Sequence, residues 1–247
     1  MVRPVFGRMP IAASIALVMG TAIAISPLVA LAQQYTPPKR GIPGRREGAG
    51  TRSPNDACVS SKKPLMALSP TDSFSTTTSQ TPTLFWYIPK TKAVTAELRI
   101  TDNSDQDVYS AIIPLNGGAG VLSYPVPKTV TNDMKIRKDY RWQFAIICDI
   151  NQPSRNPFVE GIVQRVEGDA ALSMALEKAF DVRDRASIYA SSGIWQDAIA
   201  TLAQERCARP NDPDLLTSWN TLLKSVRLEA FAQEPLSRTC TTISVKK

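Results

Sequence analysis

The sequence predicts an α+β protein in which an antiparallel β-sandwich is followed by a small C-terminal helical unit. Apolar residues alternate with polar ones over residues 94–101 and again over 140–148, which is the period of half-buried strands. From residue 169 onward, apolar residues instead recur every three or four positions, which is the period of helices. The order of these patterns predicts a strand-rich part, residues 58–166, and a helical part, residues 167–240, with a short tail over 241–247.

The first 32 residues predict a secretory signal peptide. Two arginines precede an apolar run over residues 11–31 that ends in small residues, so we expect cleavage between Ala32 and Gln33. The alternative is an uncleaved membrane anchor, because the run is nearly as long as the roughly 20 residues that span a bilayer. Glycine, serine and proline within the run weaken that alternative. We therefore expect export to the periplasm or outer envelope, with no membrane span in the mature chain.

Residues 33–57 predict a flexible arm. Proline and glycine recur every few positions, and there are almost no apolar side chains to bury. The arm also concentrates positive charge in five residues: Lys39, Arg40, Arg45, Arg46 and Arg52. We interpret it as a solvated tether; the alternative is that its cations bind cell-wall glycan or another anionic polymer, with an affinity that falls as salt rises. The rest of the mature chain is nearly neutral, which argues against nucleic-acid binding.

Four cysteines predict two disulfides, because an even number of cysteines in an oxidising compartment favours bridges. Three pairings are possible. We favour Cys58 with Cys148 and Cys207 with Cys240, since each pair would then staple one of the two parts of the chain. The chain contains no histidine and no closely spaced cysteine pair, so we expect no metal site and no cofactor.

Seven short runs within residues 58–166 predict strands, which is the number in a small β-sandwich. These runs cover residues 65–68, 83–88, 94–101, 108–113, 121–124, 140–148 and 158–166. Two stretches resemble a fibronectin type III or immunoglobulin-like sandwich: residues 82–86, which carry a tryptophan, and the spacing of Met134, Tyr140 and Trp142. The resemblance implies that the Tyr140 hydroxyl hydrogen-bonds to backbone upstream of it.

The helical part contains a pattern that resembles a tetratricopeptide helix pair. Its residues are Ala186, Tyr189, Gly193, Trp195, Ala198, Leu202 and Pro210. In such a pair the small residues allow close helix approach, and the glycine ends the first helix. Only one repeat is recognisable, whereas a self-sufficient array needs about three. We therefore expect the helical unit to pack on the sandwich.

Several stretches together resemble a family of secreted cyanobacterial proteins defined only as a domain of unknown function. They are the arm PPKRGIPGRREGAGTR, the strands TPTLFWYIP, YRWQFAIICD and VEGIVQRV, and the helices YASSGIWQDAIATLAQERCARP. The resemblance covers roughly residues 35–240. It implies an exported envelope protein and assigns no catalytic or binding residue.

Three functional hypotheses follow. The absence of histidine excludes serine–histidine and cysteine–histidine nucleophiles, so the sequence favours a non-catalytic protein. The leading hypothesis is an interaction or scaffold module that binds an envelope protein through its helices. The alternative is attachment to a cell-wall polymer through the arm. The third is a carboxylate-based hydrolase using Asp149 and Glu160. The four tryptophans lie on apolar faces, so we expect them in the core rather than stacked on sugar rings.

Overall fold

The computed structural model describes residues 1–2, 34–38, 44–48, 58–128, 134–236 and 239–240. The predicted signal peptide, its cleavage site at Ala32 and Gln33, and the 241–247 tail lie outside the described residues, except for residues 1 and 2. The chain divides into two compact units, Met1–Ala30 and Leu31–Lys247. The description below concerns the second unit.

The described residues form eight strands in two sheets. The strands are β1 (Met66–Ala67), β2 (Phe74–Thr77), β3 (Thr83–Ile88), β4 (Thr95–Thr101), β5 (Asp107–Pro114), β6 (Gly120–Pro125), β7 (Asp139–Ile146) and β8 (Phe158–Arg165). One sheet has the order β1-β3-β6 and the other the order β2-β8-β7-β4-β5. The two sheets share a core in which Trp86 of β3 stacks on Phe144 of β7 and meets Trp142 edge-on.

The larger sheet is mixed, so the expectation of a purely antiparallel sandwich is wrong at one pair. Strand β2 runs parallel to β8, with Phe74 opposite Ile162. Strand β2 was also absent from the predicted strands, because its sequence, FSTT, has the composition of a loop. All four of its residues are buried. The burial of its polar side chains is possible because the Ser75 and Thr76 hydroxyls donate to the carbonyls of Ile162 and Gly193.

The start of β7 has the predicted tyrosine contact. The Tyr140 hydroxyl accepts a hydrogen bond from the Lys135 backbone N–H at 2.8 Å. Opposite Trp142, residue 161 must be glycine: a Cβ there would lie 2.5 Å from the Trp142 ring and 2.6 Å from the Ser73 carbonyl oxygen. This close approach lets β2 and the tryptophan pack on the same residue of β8.

Four α-helices follow the sheets in the described part of the chain: α1 (Ala170–Glu177), α2 (Val182–Ser191), α3 (Trp195–Ala208) and α4 (Pro213–Ser225). Aspartates cap three of them: Asp169, Asp181 and Asp212 each accept hydrogen bonds from backbone N–H groups of the first turn. The second helix ends just before Gly193, which has the positive φ of 76° that the predicted helix end requires.

Helices α2, α3 and α4 pack on the face of the three-stranded sheet that is turned away from the larger sheet, in agreement with the expected packing of the helical unit on the sandwich. Strand β3 serves both cores, because Trp86 points between the sheets while Phe85 and Tyr87 join the helical core. The Trp195 indole N–H donates to the Leu68 carbonyl at 2.8 Å and ties α3 to the chain after β1. All four tryptophans are fully buried, as predicted.

Both favoured disulfides are present. Cys58 bridges to Cys148 with a Cα–Cα distance of 5.6 Å, and Cys207 bridges to Cys240 at 5.1 Å. The first joins the chain before β1 to the end of β7, and the second joins α3 to the chain after α4. Each bridge therefore closes one part of the fold. Among the described residues, no helix has the length and apolar character needed to cross a membrane.

Candidate functional site

Residues 34–38, here called the N-terminal segment, lie across the helical unit. The Tyr35 side chain is only 5% exposed, and its ring meets Trp195 edge-on with centroids 5.2 Å apart. The Thr36 N–H donates to the Ala190 carbonyl of α2 at 3.1 Å, and the Tyr35 N–H donates to the Ser225 hydroxyl of α4 at 3.3 Å. An extended chain thus occupies a groove formed by α2, α3 and α4.

The sequence of the groove explains why a chain fits there. Ala186 and Ala190 are small and buried, so α2 leaves room beside its backbone. At Gly193 a Cβ would lie 3.0 Å from the Thr36 carbonyl oxygen and 3.7 Å from Cδ of Pro38. Glycine therefore serves two purposes at this position, because it ends α2 and admits the segment.

Tyr35 is held as an apolar ring. Its hydroxyl is buried and has no hydrogen-bond partner among the described residues, and burial raises its pKa above the ordinary tyrosine value. Pro37 and Pro38 have no backbone N–H, so the segment presents few donors that need partners. The N-terminal segment thus fills the groove with an aromatic ring and donates two backbone N–H groups to it.

A second stretch, residues 44–48, pairs with the sheets. Glu47 forms an antiparallel bridge with Met66, and the Gly48 N–H donates to the Leu65 carbonyl at 2.8 Å. The Glu160 N–H donates to the Arg45 carbonyl at 2.8 Å. The described parts of residues 33–57 therefore lie against the folded body, whereas their composition predicts a free tether. Main-chain hydrogen bonds require no apolar side chains, which is why composition does not show this pairing.

The two described arginines of the arm differ in their roles. Nη1 of Arg46 donates to the Val226 carbonyl at 2.7 Å and to the Ser69 carbonyl at 3.3 Å, and burial lowers its pKa. Arg45 is exposed, with its guanidinium carbon 4.7 Å from the centre of the Phe158 ring. Arg46 thus joins the arm to the end of α4. The other predicted polymer-binding residues, Lys39, Arg40 and Arg52, lie outside the described residues.

A cleft of about 480 Å³ lies where the N-terminal segment, the larger sheet and α1 meet. Its apolar wall is formed by Phe74, Val166, Leu172 and Ile194, with Pro38 at one side. The volume falls in the range of roughly 300 to 1,000 Å³ typical of binding sites, and junctions between structural units commonly hold such sites.

The outer face of α1 leaves apolar side chains in solvent. Met174 is 54% exposed, and Phe180, just after the helix, is 92% exposed, while only Leu172 of this helix is buried. Exposed charges of both signs surround them, including Glu177 and Lys178. Two large apolar side chains are thus exposed within and just after one short helix, among charges of both signs.

A polar cluster joins α3 to the Ser/Thr-rich loop after β2. The Asp197 carboxylate accepts hydrogen bonds from the Thr77 hydroxyl at 2.7 Å, the Thr78 hydroxyl at 2.9 Å and the Thr78 N–H at 3.1 Å. Burial raises the pKa of Asp197, and these hydrogen bonds oppose that effect. The adjoining cavity is only about 160 Å³, below the range of ligand pockets. We interpret the cluster as a structural clamp.

The two carboxylates of the hydrolase hypothesis are set apart. Glu160 lies on β8 opposite Gln143, and β7 continues from Gln143 for three more residues, or about 10 Å, before the loop that carries Asp149. The Asp149 carboxylate accepts a hydrogen bond from the Asn151 N–H at 2.8 Å, a contact typical of Asx turns.

In the part of the chain that the structure describes, no cluster of three or more acidic or cysteine side chains could hold a metal ion.

The fold and these surfaces define a disulfide-bonded α+β protein whose helical unit holds an extended segment beside an apolar cleft. The chain belongs to the family described as Domain of Unknown Function (DUF928), whose family model matches residues 47–236. This range includes both sheets and all four described helices, and it begins at the residue that bridges to β1. A search of curated proteins found no match. The predicted membership of a domain-of-unknown-function family is confirmed, whereas cyanobacterial origin and secretion stay predictions.

Proposed function

We propose that this protein is an exported, non-catalytic interaction module whose helical unit is the binding surface. The observation that carries the proposal is the exposure of Met174 on α1 and of Phe180 just after it, since Leu172 of the same helix lines the 480 Å³ cleft. Large apolar side chains that a protein leaves in solvent near a cleft are candidates for contact with another protein. Lipid is a weaker candidate, because acidic residues near this face, including Glu167, Asp169 and Glu177, disfavour an anionic membrane surface.

Two finer features of the fold belong to this proposal. The strand orders and the Tyr140 contact support a variant of the fibronectin type III or immunoglobulin-like arrangement. The packing of Ala186, Trp195 and Ala198 in one core and the positive φ of Gly193 in the turn between α2 and α3 support a tetratricopeptide-like pair. Both architectures commonly serve as scaffolds for binding, which agrees with a non-catalytic role.

Export to the periplasm or outer envelope is supported by the two disulfides. Such bridges persist in oxidising compartments and are rare where thiols are kept reduced. An envelope protein is therefore the proposed partner.

The test is site-specific photo-crosslinking in cells that make the full chain. A photoreactive phenylalanine replaces Met174 on α1 and, as a matched control, Ile112, which is 63% exposed on the opposite edge of the larger sheet. We expect a defined adduct from position 174 and none from position 112, and a Phe180→Ser change should weaken the adduct. No adduct at position 174, or equal adducts at both positions, would contradict the proposal.

The alternative, attachment to an anionic wall polymer, keeps support from the exposed Arg45. Deleting residues 33–57 would also remove the Tyr35 and Arg46 contacts, so the test uses glutamine at Lys39, Arg40, Arg45 and Arg52 and leaves Arg46 in place. Adhesion predicts co-sedimentation with purified cell-wall sacculi that fades with salt and is lost in this variant. Unchanged pelleting of the variant would count against the arm as the adhesive element.

A further inference from the structure

We infer that the groove formed by α2, α3 and α4 recognises an extended segment of a partner protein, and that the N-terminal segment occupies this groove as a competing internal ligand. The inference rests on the proposed role of the helical unit and names the chemistry of one partner segment. Three contacts carry it: the buried Tyr35 ring against Trp195, the Thr36 N–H to Ala190, and the Tyr35 N–H to Ser225.

The chemistry of the partner segment follows from what the groove satisfies. An aromatic ring fits beside Trp195, and within the part of the chain that the structure describes the Tyr35 hydroxyl makes no hydrogen bond, so the ring is the feature that the groove recognises. The next residue must supply an N–H to the Ala190 carbonyl. Two prolines then suit the passage over Gly193, where Pro38 lies. The partner segment is thus aromatic, then a non-proline residue, then Pro-Pro.

A second copy of this chain is a poor source for that segment. Each copy carries its own segment on the same chain, and a short tether gives an effective concentration in the millimolar range. A segment from another copy at micromolar concentration would lose this competition. A different protein whose segment binds more tightly, or makes further contacts along α1, could displace the internal one.

The internal segment should lower the apparent affinity for an external peptide in proportion to the equilibrium constant for its own docking in the groove. Burial of one aromatic side chain corresponds to about a tenfold to hundredfold change in an equilibrium constant, which is about 1.4 to 2.8 kcal/mol at 1.4 kcal/mol per factor of ten. Removing the Tyr35 ring should therefore tighten binding of an external peptide by at least about tenfold.

The experiment measures binding of a labelled, amidated peptide, Gln-Gln-Tyr-Thr-Pro-Pro, to the oxidised mature protein by fluorescence anisotropy. The proteins are wild type, Tyr35→Ala, and Thr36→Pro, which removes the N–H to Ala190 and leaves the ring in place. Tyr35→Phe is the matched control, since it keeps the ring and removes only a hydroxyl that makes no hydrogen bond to a described residue. A peptide with alanine in place of tyrosine controls for the ring.

We expect the tyrosine peptide to bind Tyr35→Ala and Thr36→Pro at least about tenfold more tightly than wild type or Tyr35→Phe, and the alanine peptide not to bind. If Tyr35→Ala does not fold, Thr36→Pro decides the result. Equal affinity for wild type and the opened variants, or no binding to a folded opened variant, would overturn the inference. Position 174 lies outside the groove, so crosslinking there can succeed while peptide binding fails, and the two proposals fail separately.

Discussion

Replacing Arg46 with alanine should destabilise the protein, although the sequence presents this residue as one of several exposed cations. In the structure its guanidinium reaches the carbonyl oxygen of Val226, the C-cap residue that follows α4, at 2.7 Å. It also reaches the Ser69 carbonyl at 3.3 Å. A cation at the end of a helix satisfies carbonyls that have no partner within the helix and interacts favourably with the helix dipole.

The expected loss can be estimated from these contacts. A hydrogen bond to a charged group contributes about 1.5 to 3 kcal/mol. The longer bond to Ser69 adds little, and the partly exposed position of Arg46 reduces the total. We expect Arg46→Ala to lower the free energy of unfolding by about 2 kcal/mol. The bond from the Ala67 N–H to the Arg46 carbonyl stays intact, because alanine keeps the backbone.

The adjacent Arg45 provides the control. Its exposed guanidinium lies over the Phe158 ring, and a contact of this kind contributes about 0.5 to 1 kcal/mol. Both variants remove one positive charge from neighbouring positions, so the long-range electrostatic effects nearly cancel in the comparison. Urea unfolding of the oxidised proteins, followed by tryptophan fluorescence, gives both values. Equal losses for Arg45→Ala and Arg46→Ala would refute the reasoning.

Three further predictions concern other parts of the fold. Replacing Cys207 and Cys240 together by alanine should lower the free energy of unfolding by about 3.7 kcal/mol, the loop-closure entropy for a separation of 33 residues. An unchanged free energy of unfolding would contradict this. Tyr140→Phe should cost about 1 kcal/mol through loss of the bond from Lys135, measured by the same urea assay; no loss would show that the bond does not contribute. Burial raises the pKa of Asp197, so the folded state binds the carboxyl proton more tightly than the unfolded state does. The contribution of this group to stability therefore falls as pH rises from about 4, the pKa in the unfolded chain, through the raised pKa of the folded state. Relative to Asp197→Asn, wild type should therefore lose stability between pH 4 and 7, and a difference independent of pH would contradict this.

Regular periodicity and covalent constraints made much of the fold predictable. The alternation around Tyr140 identified β7, and the three-to-four-residue spacing after residue 169 identified the helices. Gly193 marked the end of α2 because a positive φ favours glycine. The favoured disulfide pairing was also found, since each bridge staples one part of the fold.

The remaining features depend on partners distant in sequence. Three of the four residues of β2 are serine or threonine, so the strand lacks the apolar pattern by which strands are predicted. Its parallel pairing with β8 cannot be read from the order of its own residues. Tyr35 stands alone among prolines and polar residues, so no pattern connects it to Trp195, 160 positions later in the chain. The presence of one aromatic residue in an otherwise polar, proline-rich arm was the one sequence feature that could have indicated its burial. Arg45 and Arg46 are alike in the sequence, and only the position of α4 distinguishes them.

The exchange rate of the Thr36 amide hydrogen tests most directly whether the helical groove holds an extended segment. The structure places this N–H 3.1 Å from the Ala190 carbonyl, measured from nitrogen to oxygen. Hydrogen–deuterium exchange of the oxidised protein, followed by NMR, should show the Thr36 amide exchanging at least about tenfold more slowly than in the isolated peptide. Tyr35→Ala should remove that protection. Exchange at the peptide's own rate in the wild-type protein would mean that the segment is a free tether, and it would contradict the account of the groove.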